Sequence, residues 1–377
     1  TGSEEVLDEL QRRCLFTTQV GEAGDYRYHE VFRSYLQGTL ISEVGEEGAR
    51  VRFRAAGDVL MEEGTAAEAL EAYVLAEAWE VVEQVLEDQG PTIAEEPLRW
   101  LAVHAREPLS HDPWLALAGA RRLRAEGRFE DAAKAYAALG ADTRHAGVAD
   151  LARRERAELL TWLHPEPGRG PGPAASCWTA LHQAVSGTSL DVAETAKAGA
   201  EGRFVVALCM VLTGDLRSAD RQLARLEDDA EADGAVACLT LLARGAIALI
   251  AGDDDGITDI NGAVGAAEGQ GLEWLARVGR SLLAHSGRVD HLHESARLEE
   301  AALAMGDRWG AALMCATRAW GALIASGRAE VADDRFQPAL LADLARQRLR
   351  ALDAPVLEAW AASIAALARS IRGSTDA

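Results

Sequence analysis

The feature that most constrains the fold is a recurring turn, in which one helix ends at a glycine and the next opens with small and acidic residues. Its clear copies are EGTAAEA at 63–69, EGRFEDA at 126–132 and TGDLRSA at 213–219. Glycine permits the left-handed conformation that closes a helix, and alanine lets the following helix lie close. The glycines from Gly214 onward, at Gly252, Gly287 and Gly327, are 38, 35 and 40 residues apart. That period predicts stacked helix pairs, because a single pair cannot bury its own apolar face.

The amino-acid composition favours helices as well. Hydrophobic residues make up 49% and charged residues 26% of the 377 positions, which is enough to build a buried core. Alanine, leucine, glutamate and arginine dominate, whereas the aromatic and β-branched residues that strands prefer are scarce. Because the chain is too long for one compact core, we expect two or three domains or one elongated array.

Net charge limits the binding partners. The formal charge is −22, and a field of that sign repels phosphate backbones and anionic lipid, so we expect no direct contact with nucleic acid or membrane. No uninterrupted apolar run of about 18 residues occurs. The nearest candidate, 236–251, contains Arg244. The first residues, TGSEE, lack the basic start and apolar stretch of a signal peptide.

Cysteine usage indicates the compartment in which the protein is located. The five cysteines are Cys14, Cys177, Cys209, Cys238 and Cys315. An odd number of widely spaced thiols suits neither a zinc site nor a disulfide framework, which fits a reducing cytosol. We therefore expect a cytoplasmic protein without a metal site.

Residues 1–44 carry a strand signal. Two β-prone runs, 15–20 and 26–28, flank a glycine-containing acidic loop, which predicts a hairpin. A helix follows, with one face formed through i, i+3 and i+7 spacing by His29, Phe32 and Leu36. Helix, hairpin and helix in this order form the end of a winged-helix domain.

Proline and glycine divide the remaining sequence. The segment HPEPGRGPGP at 164–173 cannot continue a helix, because proline lacks the N–H donor and glycine loosens the chain. We expect a mobile linker at 165–175, between a helical-repeat arm at 45–164 and a regular helical array at 176–377.

Residues 7–40 resemble a known family. They combine L-x-x-L-x-x-R-x-L-F with an acidic turn and then Y-R-Y-H-x-x-F-R-x-x-L. This stretch resembles the junction between the winged helix and the helical sensor in MalT-like, large LuxR-type ATP-dependent transcription regulators. The arm is similar to that family in RAA at 54–56, Gly64, EALEA at 68–72 and AWE at 78–80. The resemblance covers roughly residues 6–140, and beyond them the array is similar only to tetratricopeptide-like repeats in general.

The resemblance and the repeats together predict an all-α fold. It is a right-handed superhelix of tetratricopeptide-like helix pairs with a winged-helix remnant of one β-hairpin at the N-terminus. The resemblance implies an effector-binding sensor, which an upstream nucleotide-binding module and a downstream helix-turn-helix would flank. In that family, effector and ATP binding relieve autoinhibition and drive oligomerisation on DNA. Neither a G-x-x-x-x-G-K-[ST] motif nor a basic recognition helix occurs here, so we assign no ATP hydrolysis, promoter binding or cofactor to this chain.

Catalytic and metal-binding templates fail on spacing. His29-Glu30 and His293-Glu294 have no second histidine at zincin spacing, and no G-x-S-x-G motif occurs. His285, His291 and His293 do not share one helical face. The acidic run at 252–256 lacks the closing glutamate of a calcium loop, so it reads as a turn. The Gly-rich segment 168–170 has no preceding strand and reads as linker.

The nine tryptophans are the most informative large side chains. Such rings at helical spacing are more often core than ligand platform. Trp274 and Trp309 are the better binding candidates, because each has an arginine within one turn. The first helix of each pair is expected to line the concave side. The predicted ligand-binding set is therefore Arg244, Trp274, Arg277, Arg280, Trp309 and Arg318. Isolated arginines beside tryptophan suit an anionic or hydrogen-bonding effector.

Three function classes remain open to different degrees. The first is an effector-sensing and oligomerisation domain of a bacterial transcription regulator, which binds a small metabolite or a regulatory protein and shifts between conformations. The second is a free-standing repeat adaptor that holds peptide segments. The third is an enzyme on a helical scaffold, which would need a cluster of carboxylates or histidines that the sequence does not show.

Overall fold

A computed structural model of the chain describes residues 17–20, 25–28, 30–96, 98, 112–142, 144–163, 177–187, 195–197, 199–227, 234–327 and 336–375. This part of the chain is predominantly α-helical, so the all-α fold class is confirmed. The predicted linker 165–175 lies outside the described residues, and the domain boundaries at 44, 164 and 175 stay predictions.

The elements follow one another in a simple order. Two short strands, β1 (Thr17–Val20) and β2 (Asp25–Tyr28), pair antiparallel with Thr17 opposite Tyr28. The first helices are α1 (Glu30–Glu62), α2 (Ala66–Leu75), α3 (Trp79–Ile93), α4 (Pro113–Ala125), α5 (Phe129–Gly140), α6 (Ala146–Leu163) and α7 (Cys177–Val185). They are followed by α8 (Gly199–Leu212), α9 (Leu216–Glu227), α10 (Gly234–Ala251), α11 (Gly256–Gly269) and α12 (Glu273–Leu282). A 3₁₀ turn (Leu283–Ser286) then leads to α13 (Val289–Ala304), α14 (Arg308–Gly327), α15 (Pro338–Arg350) and α16 (Pro355–Thr375).

The chain forms two compact units, Thr1–Ala118 and Gly119–Ala377. In the first unit α1 consists of two helical segments that meet at a kink at Gly45, whose φ of 75° is not helical. The helices α2 and α3 pack after it and bury Leu70, Tyr73 and Leu86. The Tyr73 hydroxyl donates to the Asp58 carboxylate across 3.0 Å, which ties α2 to α1.

The second unit has a core rich in alanine. One part, around α14, α15 and α16, buries Leu292, Leu323, Phe336, Leu341 and Ile364 among seven alanines. Another part, between α10, α11 and α12, buries Leu242, Ile260, Val264 and Leu275. Short side chains let helices approach closely, and this geometry explains why alanine is so frequent in the sequence.

The repeated turns have the backbone that their sequences predict. The φ angle is +83° at Gly64 and Gly127 and +82° at Gly214. In each copy the N–H of the residue after the glycine donates to the carbonyl five residues earlier, from Thr65 to Leu60, Arg128 to Leu123 and Asp215 to Met210. This arrangement is the Schellman motif, which satisfies the last carbonyls of a helix and needs a left-handed residue.

Helix α10 contains the apolar run that Arg244 interrupts in the sequence. Among the described residues it is long and apolar enough to cross a membrane by length and composition, although Arg244 lies in it. It packs on α9 and α11, and it buries residues at both ends, from Val236 to Leu249. Arg244 is ion-paired with Asp220 and Glu227 of α9. Helix α10 is thus packed between neighbouring helices, with 39% of its apolar window buried.

Candidate functional site

The six sequence-predicted binding residues all lie in the second unit, on α10, α12 and α14. The structure brings two of them together, because Trp274 and Arg277 lie one turn apart on α12 and both reach Asp307. It places the other four in separate surroundings, which are described below.

Asp307 is the centre of this arrangement. It lies just before α14 and its side chain is fully buried. One carboxylate oxygen accepts from the Gly310 N–H at 2.7 Å, which caps the helix N-terminus. The other accepts from the Trp274 indole N–H at 2.8 Å and lies 3.5 Å from the Arg277 guanidinium. Burial raises the pKa of Asp307, while these donors oppose the rise.

Arg277 also reaches a turn far away in the sequence. Its guanidinium donates to the main-chain carbonyl of Glu126 at 3.0 Å. This carbonyl belongs to the C-terminal turn of α4, where the helix dipole leaves partial negative charge, so a cation binds favourably there. We call the contact formed by Glu126, Gly127, Trp274, Arg277 and Asp307 the turn junction.

Gly127 is the residue that lets the turn approach. A Cβ at this position would lie 2.4 Å from the Arg277 guanidinium and 2.6 Å from the Trp274 ring. The next residue but one, Phe129, meets the Trp274 ring edge to face, with centroids 5.8 Å apart. The site therefore accepts a glycine turn followed by an aromatic ring.

The other two clear copies of the turn make no such contact. Gly64 and Gly214 have the same backbone conformation as Gly127, but both are exposed and a Cβ there would meet nothing within 4 Å. Gly127 is buried. Local sequence therefore determines the shape of the turn, and tertiary contact distinguishes one copy from the other two.

A second long-range contact is made by Trp309, which lies two residues after Asp307 in the sequence. The Trp309 indole N–H donates to the Trp162 carbonyl at 2.7 Å, and the two rings meet edge to face at 5.0 Å. The His182 ring lies 5.1 Å from the Trp162 ring, and burial lowers the pKa of His182. We call these three residues the aromatic junction. It is a buried core contact, so Trp309 stabilises the fold there.

The remaining predicted residues are all ion-paired. Arg318 is buried and lies 2.8 Å from Glu299, which also accepts from Arg348 at 2.5 Å. Arg280 is half-exposed and pairs with Glu268 of α11. Arg244 pairs with α9, as described for the fold. Arg244 and Arg280 are therefore accessible to a ligand from solvent, whereas Arg318 is covered.

The three histidines considered as metal ligands, His285, His291 and His293, each contact a different group. His285 is buried, contacts the Trp360 ring, and has a pKa lowered to about 4 by burial. The His293 ring faces Phe336, and His291 bonds to a serine hydroxyl. In the part of the chain that the structure describes, no group of three or more His, Cys, Asp or Glu side chains is arranged to hold a metal.

The acidic loop at 252–256 forms a turn. The Asp253 carboxylate accepts from the Asp255 N–H at 3.0 Å, and α11 begins directly afterwards. Acidic side chains are favourable at this end of a helix. The glycine-rich segment 168–170 lies outside the described residues.

Sequence reasoning missed the residues that complete the turn junction. Asp307 has a local signal, because an aspartate followed three residues later by glycine before an apolar helix is a capping pattern. Glu126 contributes only its main-chain carbonyl, so its side chain carries no signal. It lies 151 residues from Arg277, and no local pattern predicts that pairing.

These contacts define a helical protein whose glycine turns repeat and whose second unit is joined over long sequence distances. Residues 1–48 match the family model of the MalT winged helix domain. The match supports a MalT-like regulator fragment with a winged helix and a link to transcription regulation. No curated protein and no solved structure matches the chain significantly.

Proposed function

We propose that this chain is the effector-sensing and oligomerisation segment of a cytoplasmic bacterial transcription regulator of the MalT-like, LuxR type. One observation carries the proposal: the winged-helix match at 1–48 continues directly into helix pairs. Helix α1 starts inside the matched region and runs to Glu62, where the first clear glycine turn follows. The last helical segment of the matched region therefore joins the first helix of the repeats across the kink at Gly45.

The effector is a small metabolite or a regulatory protein that binds the helical array. Arg244 and Arg280 offer half-exposed cations to an anionic group, and Trp274 of the turn junction offers an indole ring. Binding would favour one of two conformations, because a ligand shifts an equilibrium only by its difference in affinity between states. The proposal includes no catalytic residue, metal or cofactor in this chain and no direct contact with DNA.

The test is thermal unfolding of the chain against a library of central and catabolic metabolites, with sedimentation of each hit. A ligand at a hundred times its dissociation constant stabilises the fold by about 2.7 kcal/mol, which is easily measured. A hit that also changes the oligomeric state supports a sensor that assembles on binding its effector.

A matched pair of variants locates the site. Arg280→Gln removes a half-exposed arginine on α12, and Arg297→Gln removes an exposed one on α13; both are ion-paired with a glutamate. We expect Arg280→Gln to weaken the hit at least tenfold and Arg297→Gln to leave it unchanged. Equal binding by both variants would remove Arg280 from the site. No hit in the library would exclude the small-molecule effector and favour a protein partner or the adaptor function.

A further inference from the structure

The turn junction has the features of a contact that can open. The turn supplies a main-chain carbonyl, a glycine and one ring edge, whereas the fixed side supplies a guanidinium, an indole and a buried carboxylate. The Glu126 carboxylate does not take part, because it pairs with Arg122 and Arg128 of its own turn. A neutral carbonyl is a weaker acceptor for a guanidinium than a carboxylate is.

The rest of the second unit holds α5 in place without this contact. Helix α5 packs on α6, and the α6 end is fixed to α14 through the buried aromatic junction. Release of the turn would therefore leave the surrounding core intact. The Arg277 Nε atom is also buried with no hydrogen-bond partner among the described residues, so the guanidinium is not saturated by the turn.

We propose that the Glu126–Gly127 turn is an internal occupant of the Trp274–Arg277 site and acts as a releasable latch. In the closed form it covers the indole and the guanidinium, and in the open form the surfaces that the turn covered are exposed to an effector. This regulation rests on the proposed function, since it applies to the same site. An effector that binds Trp274 and Arg277 competes with the turn, and its binding energy opens the latch.

The test uses glycine variants that differ in one respect. Gly127→Ala, Gly64→Ala and Gly214→Ala each place alanine at a φ of +82° to +83°, so the backbone strain is the same. Only the Gly127 variant adds a Cβ against Arg277 and Trp274. Arg277→Met opens the latch from the other side, because it keeps an unbranched stem and removes the donors.

Hydrogen exchange of the ligand-free protein measures the opening. We expect Gly127→Ala and Arg277→Met to raise exchange at least tenfold in peptides covering 126–140 and 273–282, while peptides from α15 and α16 keep their protection. In Gly64→Ala and Gly214→Ala the same peptides should change less than twofold. The double variant Gly127→Ala/Arg277→Met should exchange no faster than either single variant, because both open the same contact.

Two results would overturn the latch. If exchange rises equally in α15 and α16, the contact is part of the cooperative core. If Gly127→Ala behaves like Gly214→Ala, the turn is not held by Arg277 and Trp274. Neither result depends on a known effector, so a library without hits would exclude the small-molecule effector and leave the latch to be judged by exchange alone. With an effector in hand, Gly127→Ala should lower its apparent dissociation constant.

Discussion

Glu299 is the counter-ion for two buried or half-buried arginines in the second unit. It lies on α13 with 5% of its surface exposed. One carboxylate oxygen is 2.8 Å from Arg318 of α14, and the other accepts from Arg348 of α15 at 2.5 Å. Arg348 also donates to the Ala311 carbonyl at 3.1 Å. The cluster therefore holds three helices together with one negative and two positive charges.

The substitution Glu299→Gln removes the negative charge and keeps the side-chain shape. Two guanidinium groups then remain without a counter-ion in a buried position. Removing one partner of a buried ion pair costs about 3–5 kcal/mol, because the remaining charge stays desolvated. At about 2 °C for each kcal/mol in a large domain, the melting temperature should fall by roughly 6–10 °C.

The assay is unfolding in urea and by heat, followed by circular dichroism at 222 nm. Urea is preferred to guanidinium because it does not screen ion pairs. Glu294→Gln is the matched control, since it lies on the same helix and pairs with Arg297 at an exposed position. Exposed pairs contribute about 0–1 kcal/mol, so the control should remain close to the parent protein.

The comparison of Glu299→Gln with Glu294→Gln tests whether the buried charge of Glu299 stabilises the fold. If Glu299→Gln is destabilised no more than Glu294→Gln, then the buried charges are compensated by other groups and the electrostatic reasoning is wrong. A large loss in Glu299→Gln alone would show that Arg318 acts in the fold as a buried cation, in addition to any contact with a ligand.

Three further predictions follow from burial and close packing. Burial lowers the pKa of His285 to about 4, so between pH 6.5 and 4 the unfolded chain binds a proton that the folded chain does not. The free energy of unfolding should therefore decrease by ~3 kcal/mol as the pH is lowered from 6.5 to 4. His285→Leu should make the free energy of unfolding, measured in urea, depend less steeply on pH. A Cβ at Gly321 would lie 1.9 Å from the Ala284 carbonyl, so Gly321→Ala should cost about 1–3 kcal/mol. Gly262→Ala, which faces open space in α11, should gain about 1 kcal/mol in the same assay. Burial raises the pKa of Cys315 to about 12, so a thiol reagent at pH 8 should label it only after unfolding, and fast labelling of the native protein would contradict its burial.

The sequence by itself determined the local structure of this protein. Gly64, Gly127 and Gly214 take the left-handed conformation that their turns require, because only glycine adopts it without a Cβ penalty. The alanine and leucine content determined that the described chain is helical, since helix propensity and apolar spacing act over a few residues. The match of residues 1–48 to a winged helix likewise agrees with a local pattern of helix, hairpin and helix.

The candidate site was only partly accessible from sequence. Trp274 and Arg277 were predicted together because they lie one turn apart, and the structure does place them together. The neighbouring prediction that Trp309 lines a groove could not anticipate its burial, because the residues that cover it, Trp162 and His182, come from distant segments.

Tertiary structure alone decided what the site contacts. Three turns have the same backbone, yet only Gly127 lies against Trp274 and Arg277. An array in which each repeat contacts its neighbours would not place Glu126 on a helix 151 residues away. That pairing depends on how the helices of the second unit pack as a whole. The acceptor is a main-chain carbonyl, which every residue carries, so no side chain marks it in the sequence.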